Sequence, residues 1–399
     1  MNILILSQYF WPENFRINEL TFELSKLKKL KVHVLTCNPS YPEKNLYSKK
    51  LKKFKDFSVK RVPVYLRDGS MFSKYLNYIT FVLSATYYLL FVNKTKFDKI
   101  FVFQVSPVSS AIPAILYSSF CKCRIYLWVL DLWPESIKVF GFNSKILFFF
   151  MRKLSDFVYS RVDVLLAQSN SIKLILKERY SKKTLYFPNW SEDTKSTKVN
   201  YKFEKKVKVR IDKKKINIFF GGNLGKAQDI KNILKSIKIT NLKNKNINWF
   251  FFGEGSEKHI VKNFIKSNGN PKNTFLFSTL PQTQFKYLVK KYADILLVCL
   301  ADYETLKWTI PGKIQFYFQC KKPIIGMLNG ESKKLIEKSK SGMVSKSGNH
   351  KNFSKMVVNN FKFFKTKKFK KKGLNGFEYS NKNFDKIKIM NRLNTILNI

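Results

Sequence analysis

The feature that most constrains this chain is a rhythm. Short, mainly apolar runs alternate with longer stretches of helical period, and the alternation happens twice. In the first half the runs lie at 3–6, 32–36, 99–103, 124–129 and 164–167; in the second they lie at 216–220, 249–252, 274–277, 295–299 and 323–327. A run that is apolar throughout is buried on both faces, as a strand of a parallel sheet with helical crossovers must be. Residues 193–215, rich in Lys and without an apolar period, read as a linker or an exposed excursion. The expectation is an α/β protein of two doubly wound parallel-sheet domains, residues 1–192 and 193–384, facing each other across a cleft. A chain of 399 residues is ample for both.

In such domains ligands bind outside the carboxyl ends of the strands, so the loops there deserve the closest reading. After 3–6 comes Gln8-Tyr9-Phe10-Trp11-Pro12-Glu13-Asn14-Phe15-Arg16, and after 124–129 comes Asp131-Leu132-Trp133-Pro134-Glu135-Ser136. After 216–220 comes Gly221-Gly222-Asn223-Leu224-Gly225-Lys226, and after 249–252 comes Gly253-Glu254-Gly255-Ser256. After 295–299 the chain reaches Thr309-Ile310-Pro311-Gly312-Lys313. Glycines after a strand let backbone N–H groups approach a phosphate, and the next helix adds its positive end. One such turn would read as a tight strand-to-helix connection. Two in one domain, with Lys226 and Lys313 at loop ends, point to a diphosphate. Neither turn is a full dinucleotide fingerprint, and no phosphate-binding P-loop pattern occurs.

Asp131 follows an unbroken apolar strand in a chain poor in carboxylates. It fits a group that orients or deprotonates a hydroxyl, or equally a turn aspartate. Glu13 and Arg16 either line the cleft or form a surface pair. No Asp-x-Asp triplet occurs, so a metal-held diphosphate is not expected, and phosphate charge falls to Lys, Arg and helix ends. No Ser-His-Asp or Cys-His nucleophile set is evident.

Charge needs its own account, with 75 Lys+Arg against 26 Asp+Glu and a formal net charge of +49. Nucleic-acid binding is the obvious reading. The basic residues are nearly all Lys, however, and spread along the chain together with abundant Asn, Ile and Phe, as compositional drift would leave them. A positive surface favours anionic lipid by about 1 kcal/mol per basic residue near it. Membrane or anionic substrate therefore ranks above nucleic acid. Five cysteines, an odd number mostly in apolar runs, suit free thiols in a reducing compartment. Cys121 and Cys123 have no second pair or His cluster beside them, so no structural zinc is expected. The first residues read as a buried strand and not a signal peptide. Residues 75–92 carry no charge, at the lower limit for a spanning helix. Asn77, Thr80, Ser84 and Tyr87 recur on one helical face there, which reads as a core or membrane-facing helix.

Taken together the loops resemble a family. The 8–18 loop, with Thr36-Cys37-Asn38-Pro39-Ser40-Tyr41-Pro42-Glu43, looks like the opening of glycosyltransferase family 4. The block Leu127-Trp128-Val129-Leu130-Asp131-Leu132-Trp133-Pro134-Glu135-Ser136 resembles the branch of L-fucosamine transferases in O-antigen and capsular polysaccharide biosynthesis. So do Phe187-Pro188-Asn189-Trp190, Gly222-Asn223-Leu224-Gly225-Lys226-Ala227-Gln228, Thr309-Ile310-Pro311-Gly312-Lys313-Ile314-Gln315 and Lys322-Pro323-Ile324-Ile325-Gly326-Met327-Leu328-Asn329-Gly330-Glu331. Motif order is kept over nearly the whole chain.

The resemblance implies the GT-B fold, with the acceptor on the first Rossmann-like domain, the nucleotide sugar on the second, and a final helix, 385–399, returning to the first. It implies a retaining, metal-independent transfer from a UDP-sugar, of an N-acetylated amino sugar, to a lipid-linked glycan. Such an enzyme would be cytoplasmic and peripheral, at the inner face of the cytoplasmic membrane. The basic, aromatic helix at 145–153 suits that interface, though it also fits a core helix. No cofactor, metal or nucleic acid is expected. Asp131 and Glu13 become the catalytic candidates. Gly222, Asn223, Gly225, Lys226, Gly253, Glu254, Gly255, Lys313, Gln315 and Glu331 become the donor-binding ones, and Arg16, Trp133 and Glu135 the acceptor-binding ones. There are departures. The family's glutamate pair falls at Trp308 and Phe316, and its Arg and Lys after the first strand of the second domain fall at Asn223 and Gln228. Lys226, Lys313, Gln315 and Glu331 are the expected replacements. The glycine of the usual turn before the second strand is also missing, at Lys29-Leu30-Lys31-Val32. The rival readings are a GT-B sugar-nucleotide epimerase or phosphorylase, a basic nucleic-acid-binding protein, and a fold that binds sugar nucleotides without turnover.

Overall fold

The strands form where burial on both faces can be met. A computed structural model describes residues 1–41, 53–140, 144–191, 195–267 and 273–399. Pro42 and Glu43 of the second motif, and Asp193 at the start of the Lys-rich segment, lie outside the described residues. The chain divides into two compact units, Met1–Pro188 with Met390–Ile399, and Asn189–Ile389.

Unit 1 holds β1 (Asn2–Leu6), β2 (Lys31–Cys37), β3 (Ser58–Val62), β4 (Lys99–Gln104), β5 (Arg124–Val129), β6 (Val164–Ala167) and β7 (Lys183–Tyr186). All pair in parallel, in the order β3-β2-β1-β4-β5-β6-β7. Its helices include α1 (Arg16–Ser25), α2 (Met71–Tyr87), α3 (Ile112–Cys121), α4 (Lys145–Arg161) and α5 (Asn170–Tyr180). β1 is central and fully enclosed, with Ile3 opposite Val32 on one side and Lys99 on the other. The strand order reverses between β1 and β4. That crevice, with the loop after β5 beside it, is where a doubly wound sheet takes its ligand.

Unit 2 repeats the plan with β8 (Ile216–Gly221), β9 (Ile247–Phe252), β10 (Thr274–Phe277), β11 (Ile295–Cys299), β12 (Ile324–Met327) and β13 (Gly342–Ser345). The order is β10-β9-β8-β11-β12-β13, again all parallel. Its helices include α6 (Tyr201–Lys208), α7 (Ile230–Lys243), α8 (Lys258–Lys266), α9 (Gln282–Tyr292), α10 (Glu304–Lys307), α11 (Gly312–Gln319) and α12 (Gly330–Lys338). The last helix, Lys386–Leu397, belongs to unit 1 from Met390 on, where Lys99 Nζ donates to Leu397 O and Arg392 stands over the Tyr186 ring.

Ten strands match the sequence reading. The three it lacks are β3, β7 and β13, and all three are sheet edges. Each carries at most one fully buried residue, so none needs an unbroken apolar run. The Lys-rich segment also differs from its reading. It is no linker: α6 lies within it, and Val199, Phe203, Val207 and Ile211, each four residues from the last, pack into the unit 2 core. Lysines on the outer face mask that stripe in the sequence.

The stretch Met71–Val92 is long and apolar enough to cross a membrane by length and composition. In the structure one of its faces is docked on unit 1. Ser73, Asn77, Phe81 and Ala85 are buried there, and Asn77 is held by three groups. Gln8 Nε2 donates to its Oδ1 at 2.8 Å, Arg67 Nε donates at 3.1 Å, and its own Nδ2 donates to Tyr65 O at 2.7 Å. The opposite face presents Phe72, Ile79, Leu83 and Tyr87 outward.

Because α6 anchors in the core, Val207→Ala is expected to lower stability by about 2 kcal/mol. An unchanged urea midpoint would show the segment to be a free linker.

Candidate active site

In unit 2 the two glycine turns fit together through their backbones. Gly222 N donates to Phe252 O at 2.9 Å, and Leu224 N donates to Glu254 O at 2.8 Å. A Cβ on Gly253 would stand 2.0 Å from Gly222 O, and one on Gly255 would stand 2.4 Å from Leu224 O. Gly222 and Gly255 also have φ of +123° and +147°, which L side chains resist. The sequence reading took these glycines as open approaches for phosphate. At Gly253 the structure gives a different reason: the two turns would otherwise collide.

Gly222 is the exception, because what lies beside it is Lys313. Its added Cβ would meet Lys313 Cε at 3.1 Å and Nζ at 3.3 Å. Lys313 stands in the first turn of α11, and its ammonium lies 3.7 Å from the centroid of the Phe220 ring at the end of β8. The Nζ atom is buried and has no hydrogen-bond partner among the described residues. Burial brings its pKa down to about 7. A cavity of about 180 Å³ opens at this point, lined by Gly221, Gly222, Phe285, Lys313 and Phe316 among others. Phe316 gives this wall an apolar ring where the resembled family has a carboxylate. Tyr317 fixes the turn, accepting from Gly221 N at 2.9 Å; sequence reasoning missed it, since its register within α11 gives no motif.

The remaining donor candidates are placed less centrally. Gln315 is buried, and its Oε1 has no partner among the described residues. Gly225 N donates to Gln228 Oε1, while Asn223 and Lys226 are exposed. Glu254 is exposed and paired with Lys258 at 2.6 Å. Glu331 is half-buried in the first turn of α12, beside Gly330, whose Cβ would collide with Lys307 O.

In unit 1, Asp131 stands near the start of the loop after β5. The loop is pinned through its backbone: Gln104 Nε2 donates to Asp131 O at 2.9 Å, Gln168 Nε2 donates to Leu130 O, and Trp133 N donates to Tyr159 Oη at 3.1 Å. None of these bonds uses the Asp131 carboxylate, and burial pushes its pKa up to about 7. Gln104 and Tyr159 were not foreseen; only three-dimensional proximity connects them with the loop.

The other candidates of unit 1 are engaged structurally. Glu13 is buried with both oxygens on backbone amides, Oε1 accepting from Ser40 and Tyr41 N at 2.9 and 2.8 Å and Oε2 from Phe10 N at 3.2 Å. It braces the loop after β1 against the loop after β2. Burial nonetheless raises its pKa, outweighing those amides. Glu135 Oε1 accepts from Arg152 on α4 and Arg179 on α5, which ties three segments together, and Oε2 is buried without a partner among the described residues. Arg16 pairs with Glu19 at 2.8 Å. Trp133 is buried, with an indole N–H that meets no acceptor among the described residues. The structure thus brings Asp131 and Trp133 together on one loop, and the glycine turns and Lys313 together on another sheet. Among the described residues no three His, Cys, Asp or Glu side chains converge as a metal site requires.

Residues 202–359, within unit 2, match the family model described as Glycosyl transferases group 1. A probable glycosyltransferase, WbjE of Pseudomonas aeruginosa, is 28% identical over 142 residues, covering 33% of this chain and 36% of that protein. The chain therefore spans about a third of the curated relative it matches. Among solved structures, the sucrose-phosphate synthase of Thermosynechococcus elongatus superposes with a TM-score of 0.76 at 10% identity, covering 100% of this chain and 98% of the other. HepE of Anabaena, solved in complex with UDP-glucose, gives 0.68 at 13% identity over 100% and 99%. The fold is GT-B: two Rossmann-like parallel-sheet domains, of seven and six strands.

The two desolvated groups give opposite pH signatures. Asp131 ionises at 3.8 when unperturbed and near 7 in the fold, so the folded chain loses stability as pH rises across that window. Asp131→Asn should be the more stable protein at pH 8, with the gap in melting temperature vanishing towards pH 4. Lys313 ionises near 10.5 when unperturbed and near 7 in the fold, so stability rises with pH between those values. Lys313→Met should be the more stable protein at pH 7, its advantage closing towards pH 10.5. Thermal scans across pH check both, and parallel curves for wild type and variant would refute the assignment.

Proposed function

We propose that the chain is a family 4 glycosyltransferase that moves a sugar from a UDP-sugar to a lipid-linked glycan. The observation that carries this is Lys313: a buried ammonium without a counter-ion among the described residues, beside a positive-φ glycine at the carboxyl end of β8. It lies in the unit that matches the group 1 glycosyltransferase model. A diphosphate supplies the missing anion. The neighbouring Gly222–Lys226 turn adds the exposed side chains of Asn223 and Lys226. Gln315 and the Gly253–Gly255 turn hold the nucleotide, as does Glu331. HepE, which shares the fold, binds UDP-glucose, and this supports UDP as the nucleotide.

Unit 1 takes the acceptor. Asp131, whose carboxylate makes no hydrogen bond among the described residues, orients the acceptor hydroxyl or accepts its proton. The hydroxyl oxygen bonds to the anomeric carbon as the bond from that carbon to the diphosphate breaks, and retention places both on one face of the sugar. Lys313 stabilises the negative charge that builds on the leaving diphosphate. Glu13 acts as the brace of the acceptor loop. No Asp-x-Asp triplet occurs in the sequence, so charge neutralisation by Lys313 and Lys226 favours a metal-independent reaction. An N-acetylated amino sugar and a role in O-antigen or capsule assembly rest on the motif resemblance. A station at the inner face of the cytoplasmic membrane also draws on the outward apolar residues of α2 and on the net charge of +49.

Calorimetry with UDP tests the reading. Metal-free binding is expected, and Lys313→Met should weaken it about 10- to 100-fold, as for a lost charge-assisted bond. At pH 8, binding should draw up close to one proton, seen as a dependence of the enthalpy on the buffer. With the acceptor present, the wild-type rate should rise with pH through about 7, where Asp131 ionises. Asp131→Asn should remove that limb along with most turnover, and wild-type turnover in this variant would end the catalytic assignment.

A further inference from the structure

An apolar cavity that the proposed chemistry leaves unused lies in unit 1. It has a volume of about 610 Å³, in the size range of small-molecule sites, and runs between α2 and α4. Ile79 and Leu83 form one wall, Leu147, Met151 and Leu154 the other, and Trp133 closes one side. Lys74 is the only charged side chain among its lining residues.

We propose that this groove binds the hydrocarbon chain of the lipid-linked acceptor, an inference that rests on unit 1 being the acceptor side. Three observations name a chain with an anionic head as the occupant. The walls are apolar on both helices, and an alkyl or prenyl chain asks for no hydrogen bonds. The groove is continuous with the functional loop, since Trp133 lies two residues from Asp131 and its buried indole N–H has no acceptor among the described residues. A phosphate or sugar oxygen at the head of the chain would satisfy it. The charge beside it is complementary to a diphosphate: Lys74 lies in the lining, and Lys138 follows the lining residue Ile137. The wall residues Ile79 and Leu83 are 56% and 64% exposed, as side chains that close on a separate ligand would be.

The test is the binding of n-alkyl diphosphates of increasing chain length to the full-length protein, with inorganic diphosphate as reference. Affinity should climb by about fourfold per added methylene until the groove is filled. The double variant Ile79→Glu, Leu83→Glu changes two exposed positions, so it should fold and bind UDP as the wild type does. It should flatten the chain-length series while leaving inorganic diphosphate affinity unchanged. A flat series in the wild type, or an unaltered slope in the variant, overturns the proposal. So does a variant that loses binding to anionic phospholipid vesicles yet keeps the slope, because the face would then be a membrane patch and no chain site. UDP binding reads unit 2 separately. Its failure would sink the transferase reading while leaving the chain series to report on the groove.

Discussion

Unit 2 is organised around an ammonium that no side chain among the described residues neutralises. Lys313 is disfavoured twice over. It is desolvated against Phe220, and it sits in the first turn of α11, where the helix already presents its positive end. Nothing in a stable fold requires that, and a neutral side chain of similar shape would be the easier solution. What surrounds it keeps the arrangement in place. Tyr317 fixes Gly221, the positive φ of Gly222 bends the chain away, and the interlocked turns at Gly222 and Gly253 leave the backbone little freedom to relax. An incoming anion meets the charge and the helix end at once, with little reorganisation left to do.

Unit 1 solves the mirror problem with a carboxylate. The Asp131 loop is fixed by Gln104, Gln168 and Tyr159 through main-chain atoms, so its rigidity does not consume the side chain. Glu13 and Glu135 show the alternative. Both oxygens of Glu13 are taken by backbone amides and Oε1 of Glu135 by two arginines, so both carboxylates brace the fold. All three acids are largely removed from solvent, so burial alone does not distinguish a reactive group from a brace. The distinction lies in whether the fold has already provided the partner.

This explains what could be read in the sequence and what could not. Interior strands announce themselves because both faces must be apolar, whereas β3, β7 and β13 lie at edges and carry mixed residues. The α6 stripe of Val199, Phe203, Val207 and Ile211 has a regular spacing of four but is diluted by lysines, so it passed for a linker. Lys313 and Asp131 were legible as strand-end residues. Their isolation was not, since it depends on which atoms from distant segments approach them. Conversely, Glu13 and Glu135 also stand in strand-end loops, and position along the chain could not reveal the amides and arginines that bind them.

The same contrast governs the net charge of +49 and the apolar length of α2. Most lysines are solvated, and at physiological salt their fields fade within about 8 Å. They steer anions and favour anionic surfaces without making a site, whereas Lys313 acts because it is desolvated. In α2, composition alone would permit a membrane span. Asn77 decides otherwise. Its carboxamide is held by Gln8, Arg67 and Tyr65, and undocking the helix would leave those buried polar groups unpaired. Docking by that one face fixes the rotation of the helix, and therefore fixes which residues remain outside. Ile79 and Leu83, two and six residues on from Asn77, are left unburied by the same hydrogen bonds that seat the helix. The outward apolar wall of unit 1 is thus a consequence of how α2 is anchored.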